Sequence, residues 1–109
     1  MMHCCGAIHD IVDDFIDLGA NLLWPQLSLY GEDQAFLDHL LERRVSLLIH
    51  PDRQRLIPLG SPAEIEDFVR RMAERYHRAG GGGIFYVEIE NDAPFENVEA
   101  LIRSIDRYR

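Results

Sequence analysis

Val45-Ser46-Leu47-Leu48-Ile49-His50-Pro51 and Ser61-Pro62-Ala63-Glu64, followed after the run Gly80-Gly81-Gly82-Gly83 by Ile84-Phe85-Tyr86-Val87-Glu88-Ile89, decide the fold. The first is a short apolar run closed by proline, the pattern of a strand buried on both faces. The second combines a serine N-cap, proline at the first helical position and a glutamate placed to reach back, which is a capping box. Ile65, Phe68, Val69, Met72 and Tyr76 then keep one apolar helical face until the glycines end it. The third run is a strand again. Strand, helix and strand at this spacing make a parallel βαβ unit with a right-handed crossover.

The unit repeats on either side. Upstream, Ile8, Ile11, Val12, Phe15 and Ile16 predict an amphipathic helix ending at Gly19, with Asp10, Asp13, Asp14 and Asp17 as its solvated face. Asn21-Leu22-Leu23-Trp24-Pro25 reads as a strand, and Phe36, Leu37, Leu40 and Leu41 as the helix after it. Met1 to Cys5 reads as the end of one more strand. Downstream, Pro94 opens a helix carrying Val98, Leu101, Ile102 and Ile105. Two architectures satisfy this order: half of an eight-unit (β/α)8 barrel, whose whole length is about 250 residues, or a small open sheet with helices on both faces.

A chain of 109 residues makes one domain, 1–109. Its formal charge of −8 argues against a nucleic-acid surface, and its basic residues are interleaved with acids. No apolar run is long enough to span a bilayer and no signal-peptide pattern opens the chain, so a cytoplasmic protein is expected. The two cysteines, Cys4 and Cys5, are neighbours and cannot readily bridge each other, which leaves metal or redox chemistry as candidate roles.

Three stretches, in order, resemble the uroporphyrinogen decarboxylase superfamily. His3-Cys4-Cys5-Gly6 with Gly19-Ala20-Asn21 is similar to the His-x-Cys-Gly and Gly-Ala-Asp of its zinc-dependent, corrinoid-linked methyltransferase branch. Pro51-Asp52 through Leu59-Gly60-Ser61-Pro62-Ala63-Glu64 resembles the family's Asp and Gly-Thr-Pro-Glu stretch. Gly81-Gly82-Gly83-Ile84 to Pro94-Phe95-Glu96-Asn97-Val98 resembles its Gly-Gly strand and Pro-x-Glu-Asn-Val ending. The resemblance implies that the chain is the C-terminal half of a (β/α)8 barrel, with the upstream strands missing.

It further implies a zinc site at His3 and Cys5, which two-residue spacing at a strand end turns to one side, while Cys4 faces the other way and packs as a small hydrophobe. Zinc would activate a substrate thiol for methyl transfer, and any corrinoid would ride on a separate partner protein. Val87 stands about where the branch places a third ligand, with Glu88 or Glu90 as substitutes if the register shifts. His50 and Asp52, at a strand's C-terminal end, are candidate catalytic groups. Arg53 and Arg55 are candidate binders of a substrate carboxylate. His9, His39 and His77 are expected on helix surfaces. The alternatives are a metal-free, decarboxylase-like protein for porphyrinogens or other polycarboxylates, and an inactive half barrel that needs a partner. A half barrel exposes two strand edges and an inner face expected at Leu22, Leu47 and Phe85 or their neighbours, so a homodimer or a complex with a separate N-terminal half is expected.

Overall fold

A computed structural model describes residues 1–30 and 34–109. Its sheet has four strands, all parallel and in sequence order: β1 (Met2–Cys4), β2 (Leu22–Pro25), β3 (Ser46–Ile49) and β4 (Gly83–Phe85). Five α-helices alternate with them among the described residues: α1 (Val12–Asp17), α2 (Gln34–Glu42), the single turn α3 (Leu56–Leu59), α4 (Pro62–Arg78) and α5 (Phe95–Tyr108). The chain is therefore an α/β protein of βα units. No described helix is long and apolar enough to cross a membrane.

The capping box forms as read: Ser61 Oγ accepts from the Glu64 backbone N–H at 3.3 Å, and Glu64 accepts from the Ser61 N–H at 2.7 Å. The Ser61 backbone N–H, and after it the Ser61 hydroxyl donating to Glu64 Oε2 at 2.8 Å, hold the Glu64 carboxyl below its ordinary pKa. The helix between Ile8 and Gly19 differs from expectation. Residues His9–Ile11 make a 3-10 turn and the α-helix starts only at Val12, because Ile11, at φ −126° and ψ 3°, lies outside the helical region and serves as the N-cap. The late strand also stops early, at Phe85 instead of Ile89. One more backbone bond, Tyr86 N–H to the Ile49 carbonyl at 3.0 Å, ends the ladder, and Pro51 has no N–H to extend it.

Alternate residues divide the sheet into two faces. Leu23, Leu47 and Ile49 point into one apolar cluster with Val12, Phe36, Leu40 and Tyr76. Ile57, Ile65, Val69 and Leu101 form a second beneath α4 and α5, and Phe68 and Phe85 touch both. Leu22, Trp24, Leu48 and Ile84 join neither cluster. Helices thus pack on one face and the opposite face is open, which removes the arrangement with helices on both. Of the residues expected on the inner face or next to it, Leu22 lies on the open face, and so do Trp24 and the neighbours Leu48 and Ile84, while Leu47 and Phe85 themselves turn toward the helices.

Candidate functional site

The C-terminal ends of the parallel strands converge on one rim, where βα proteins place ligands because the following loops are free to vary. A cavity of about 170 Å³ lies there, bordered by His3 and Cys5 at the end of β1, Trp24 and Gln26 at the end of β2, His50 and Arg53 after β3, and Glu88 after β4.

At β1 the pleat places His3 opposite Trp24 in the parallel register. His3 Nδ1 lies 2.8 Å from the Trp24 carbonyl oxygen. A carbonyl only accepts, so Nδ1 carries the hydrogen and Nε2 keeps its lone pair. That Nε2 faces Cys5 Sγ at 3.1 Å. The rings of His3 and Trp24 meet at a tilt of 37° with centroids 4.0 Å apart, which fixes the imidazole plane. Cys4 points to the opposite face and packs against the helical cluster, as two-residue alternation requires.

His50 follows β3 and is 9% exposed. Its Nδ1 donates to the Pro51 carbonyl at 2.5 Å, and its Nε2 is buried without a hydrogen-bond partner. Glu88 Oε2 stands 3.8 Å from that nitrogen. Glu88 is itself held from two sides: Tyr86 donates its hydroxyl to Oε1 at 3.0 Å, and Arg53 bonds to Oε2. Arg53 also faces Glu90 at 3.8 Å. The Tyr86 phenol is pushed above its ordinary pKa, chiefly by this bond to Glu88.

The predicted residues are therefore unevenly placed. His3, Cys5, His50, Asp52 and Arg53 border one cavity, and Arg55 does not. Asp52 Oδ1 accepts the backbone N–H groups of Gln54 at 2.8 Å and Arg55 at 3.1 Å, shaping the turn into α3. Val87 packs against the cluster under α4 and α5, so its side chain is directed away from the rim, and Glu88 takes the rim side. Of the helical histidines, His39 pairs with Asp13 at 2.9 Å, His77 meets the Tyr108 carbonyl at 3.1 Å, and His9 packs at a tilt against the Tyr30 ring with centroids 4.4 Å apart. Sequence reasoning missed the parts played by Trp24, Pro51 and Tyr86, which act through a carbonyl, a carbonyl and a hydroxyl. The register of β1 on β2 is the signal that finds the first. Among the described residues no group of three His, Cys, Asp or Glu side chains is gathered closely enough to hold a metal ion, so His3 and Cys5 stand as a pair.

Comparison with models of protein families, with characterised proteins and with solved structures finds no match.

Proposed function

We propose that this chain is the second half of a (β/α)8 barrel of the uroporphyrinogen decarboxylase type, nearest its methyltransferase branch, and that His3 and Cys5 hold a catalytic zinc ion. Four parallel βα units in sequence order, with helices on one face only, support the half-barrel part. The barrel is completed by a homodimer or by a separate N-terminal half.

One observation carries the metal part. His3 donates Nδ1–H to a backbone carbonyl and turns Nε2 to the Cys5 thiol at 3.1 Å, and a ring nitrogen fixed on a carbonyl is the arrangement that metal-binding imidazoles adopt. The donor set fits zinc, which takes imidazole nitrogen and thiolate sulfur. When bound, zinc supplies a Lewis acid that stabilises a substrate thiolate, the nucleophile for methyl transfer. Trp24 keeps the imidazole oriented through its carbonyl and its ring. The cavity admits a small substrate, and His50 borders it together with the pair. The decarboxylase-like alternative draws less support. Arg53, the cavity's arginine, is already engaged by Glu88 and faces Glu90, so a substrate carboxylate would have to displace them.

Metal analysis of the purified chain after loading with zinc and passage over a weak chelator tests this reading. Zinc is expected in the native chain and absent from His3→Ala and from Cys5→Ser. A native chain that retains none, at concentrations where it is folded and assembled, would overturn it.

A further inference from the structure

His50 carries a polar atom that the fold leaves unmatched. Its side chain is 9% exposed, its Nδ1–H is spent on the Pro51 carbonyl, and its Nε2 is buried with no hydrogen-bond partner among the described residues. A buried acceptor left so is costly, and such a group marks a place where water, an ion or a ligand completes the bonding. The group that faces it, Glu88 Oε2 at 3.8 Å, is a second acceptor. Both residues border the rim cavity of about 170 Å³. Their side chains are 9% and 34% exposed, so one acceptor is sealed and the other opens toward solvent.

We propose that the rim cavity binds a primary ammonium group, whose nitrogen sits between His50 Nε2 and Glu88 Oε2 and donates one N–H to each. A nitrogen about 2.8 Å from both acceptors sees them about 85° apart across the 3.8 Å that separates them. Tetrahedral N–H bonds diverge by about 109°, so each hydrogen bond bends by only about 12° and stays in the favourable range. An alcohol has one hydrogen and would leave one acceptor unmatched. A quaternary ammonium has none and would leave both.

Charge favours a cation over a neutral donor. Asp52 and Glu88 border the cavity, Arg53 is the arginine on that border, and Glu90 faces the same guanidinium at 3.8 Å. An ionised carboxylate has about four acceptor sites. Tyr86 takes one on Oε1 and Arg53 one on Oε2, so Oε2 can accept a further bond. Trp24, also on the border, is the ring type that attracts cations best, and Tyr86 meets it edge-on with centroids 4.6 Å apart. The cavity is smaller than the roughly 300 Å³ at which drug-sized sites begin, so the group enters on a short alkyl chain. The site does not depend on the zinc reading, since neither His3 nor Cys5 holds the nitrogen.

NMR titration of the 109-residue chain with ethylammonium chloride, in the presence of a metal chelator, tests the site without involving zinc. The His50 Nε2 and Glu88 carboxyl signals should move together and saturate at roughly millimolar ligand, the scale open to a ligand of so few atoms. Tetramethylammonium and ethanol should bind at least about 10-fold more weakly. Glu88→Gln should weaken ethylammonium by about 10-fold or more, because the charge is gone and the amide can donate to His50 itself. Arg53→Gln frees Oε2 and removes a competing cation, so it should tighten binding about 3–10-fold. Damage to the fold would imitate the first change but not the second. Nα-acetyl-lysine amide, titrated alongside, separates a free amine from a lysine side chain, and binding of either supports the site. Four results would overturn it: tetramethylammonium binding as well as ethylammonium, weaker binding in Arg53→Gln, a His50 ring with hydrogens on both nitrogens at neutral pH, or no response to any amine well above millimolar, which would leave a water between the acceptors.

Discussion

His50 turns Nε2 toward Glu88 Oε2 across 3.8 Å, and no hydrogen bond joins them. Because Nδ1–H is fixed on the Pro51 carbonyl, the neutral imidazole sets a lone pair against a carboxylate. Glu88 stays in place because Tyr86 and Arg53 hold it from elsewhere. The ends of β3 and β4 are thus connected at the rim by an arginine, a carboxylate and a phenol, with a buried histidine behind them.

Glu88→Gln therefore has a readout at Tyr86. The bond to Glu88 raises the phenol's pKa, so the variant should lower it toward the ordinary value of about 10. The sign follows from linkage: a raised value in the folded state adds stability below the unfolded value, and that stability is lost as pH rises through the folded one. Tyrosine NMR titration of the native chain and the variant checks this. An unchanged Tyr86 would mean that the hydroxyl points elsewhere in solution.

Tyr76 makes a second alkaline prediction with a different cause. The residue is 3% exposed and its hydroxyl has no partner, so burial pushes its pKa well above the ordinary value. Once pH passes about 10 the unfolded chain releases this proton and the folded chain keeps it, and stability falls by about 1.4 kcal/mol per pH unit. Tyr76→Phe removes that contribution to the slope. At neutral pH it should be neutral or stabilising by up to about 1 kcal/mol, because it deletes a buried hydroxyl with nothing to bond. Urea unfolding between neutral pH and pH about 11 measures both effects.

Asn97 lies in the Pro-x-Glu-Asn-Val stretch and acts in the fold. It is 2% exposed, and its Nδ2 donates to the carbonyls of Ile57 at 2.9 Å and Gly60 at 2.7 Å. It ties the start of α5 to the end of α3. Asn97→Ala leaves two carbonyls without their donor and should cost about 2–4 kcal/mol. Asn97→Asp should be worse at neutral pH, since a carboxylate would face two carbonyl oxygens. Denaturant midpoints of the two variants rank them. Near-native stability in Asn97→Ala would show that water replaces the amide.

Each of these residues marks how far the sequence could be read. Apolar period and capping chemistry are local, so the four strands and the main helices were legible from Leu47, Ile49, Ser61, Glu64 and the stripe from Ile65 to Tyr76. Element ends were less so, because they depend on partners: β4 stops where Pro51 has no N–H to offer it, and α1 starts late because Ile11 lies outside the helical region. The approach of His3 to Cys5 was legible from a spacing of two. The partners of His50 were not. Pro51 contributes a carbonyl, and Glu88 arrives from 38 residues away through the pairing of β3 with β4. The inner face was legible only to within a residue, at Leu47 or Leu48 and at Phe85 or Ile84, because a continuous apolar strand carries no mark of which side meets helices.

The glycine run before β4 separates two reasons for glycine that look alike in sequence. Gly80, Gly81 and Gly82 have φ of 85°, 113° and 94°, in the region that side chains disfavour, and the first two have open space around them. Gly83 has no such φ. A Cβ there would lie 2.7 Å from Tyr76 Cγ and 2.9 Å from Ile49 Cδ1, inside the contact between α4 and the sheet. Gly83→Ala should therefore cost about 1–3 kcal/mol by overpacking, and Gly80→Ala about 1–3 kcal/mol through backbone strain. Similar totals are told apart by coupling. Tyr76→Leu removes the ring that the new methyl strikes, so it should rescue part of the Gly83→Ala loss and none of the Gly80→Ala loss. A double-mutant cycle by urea unfolding measures the difference. Additive costs for Gly83→Ala and Tyr76→Leu would show that α4 shifts away from the sheet as a unit instead of meeting it through the ring of Tyr76.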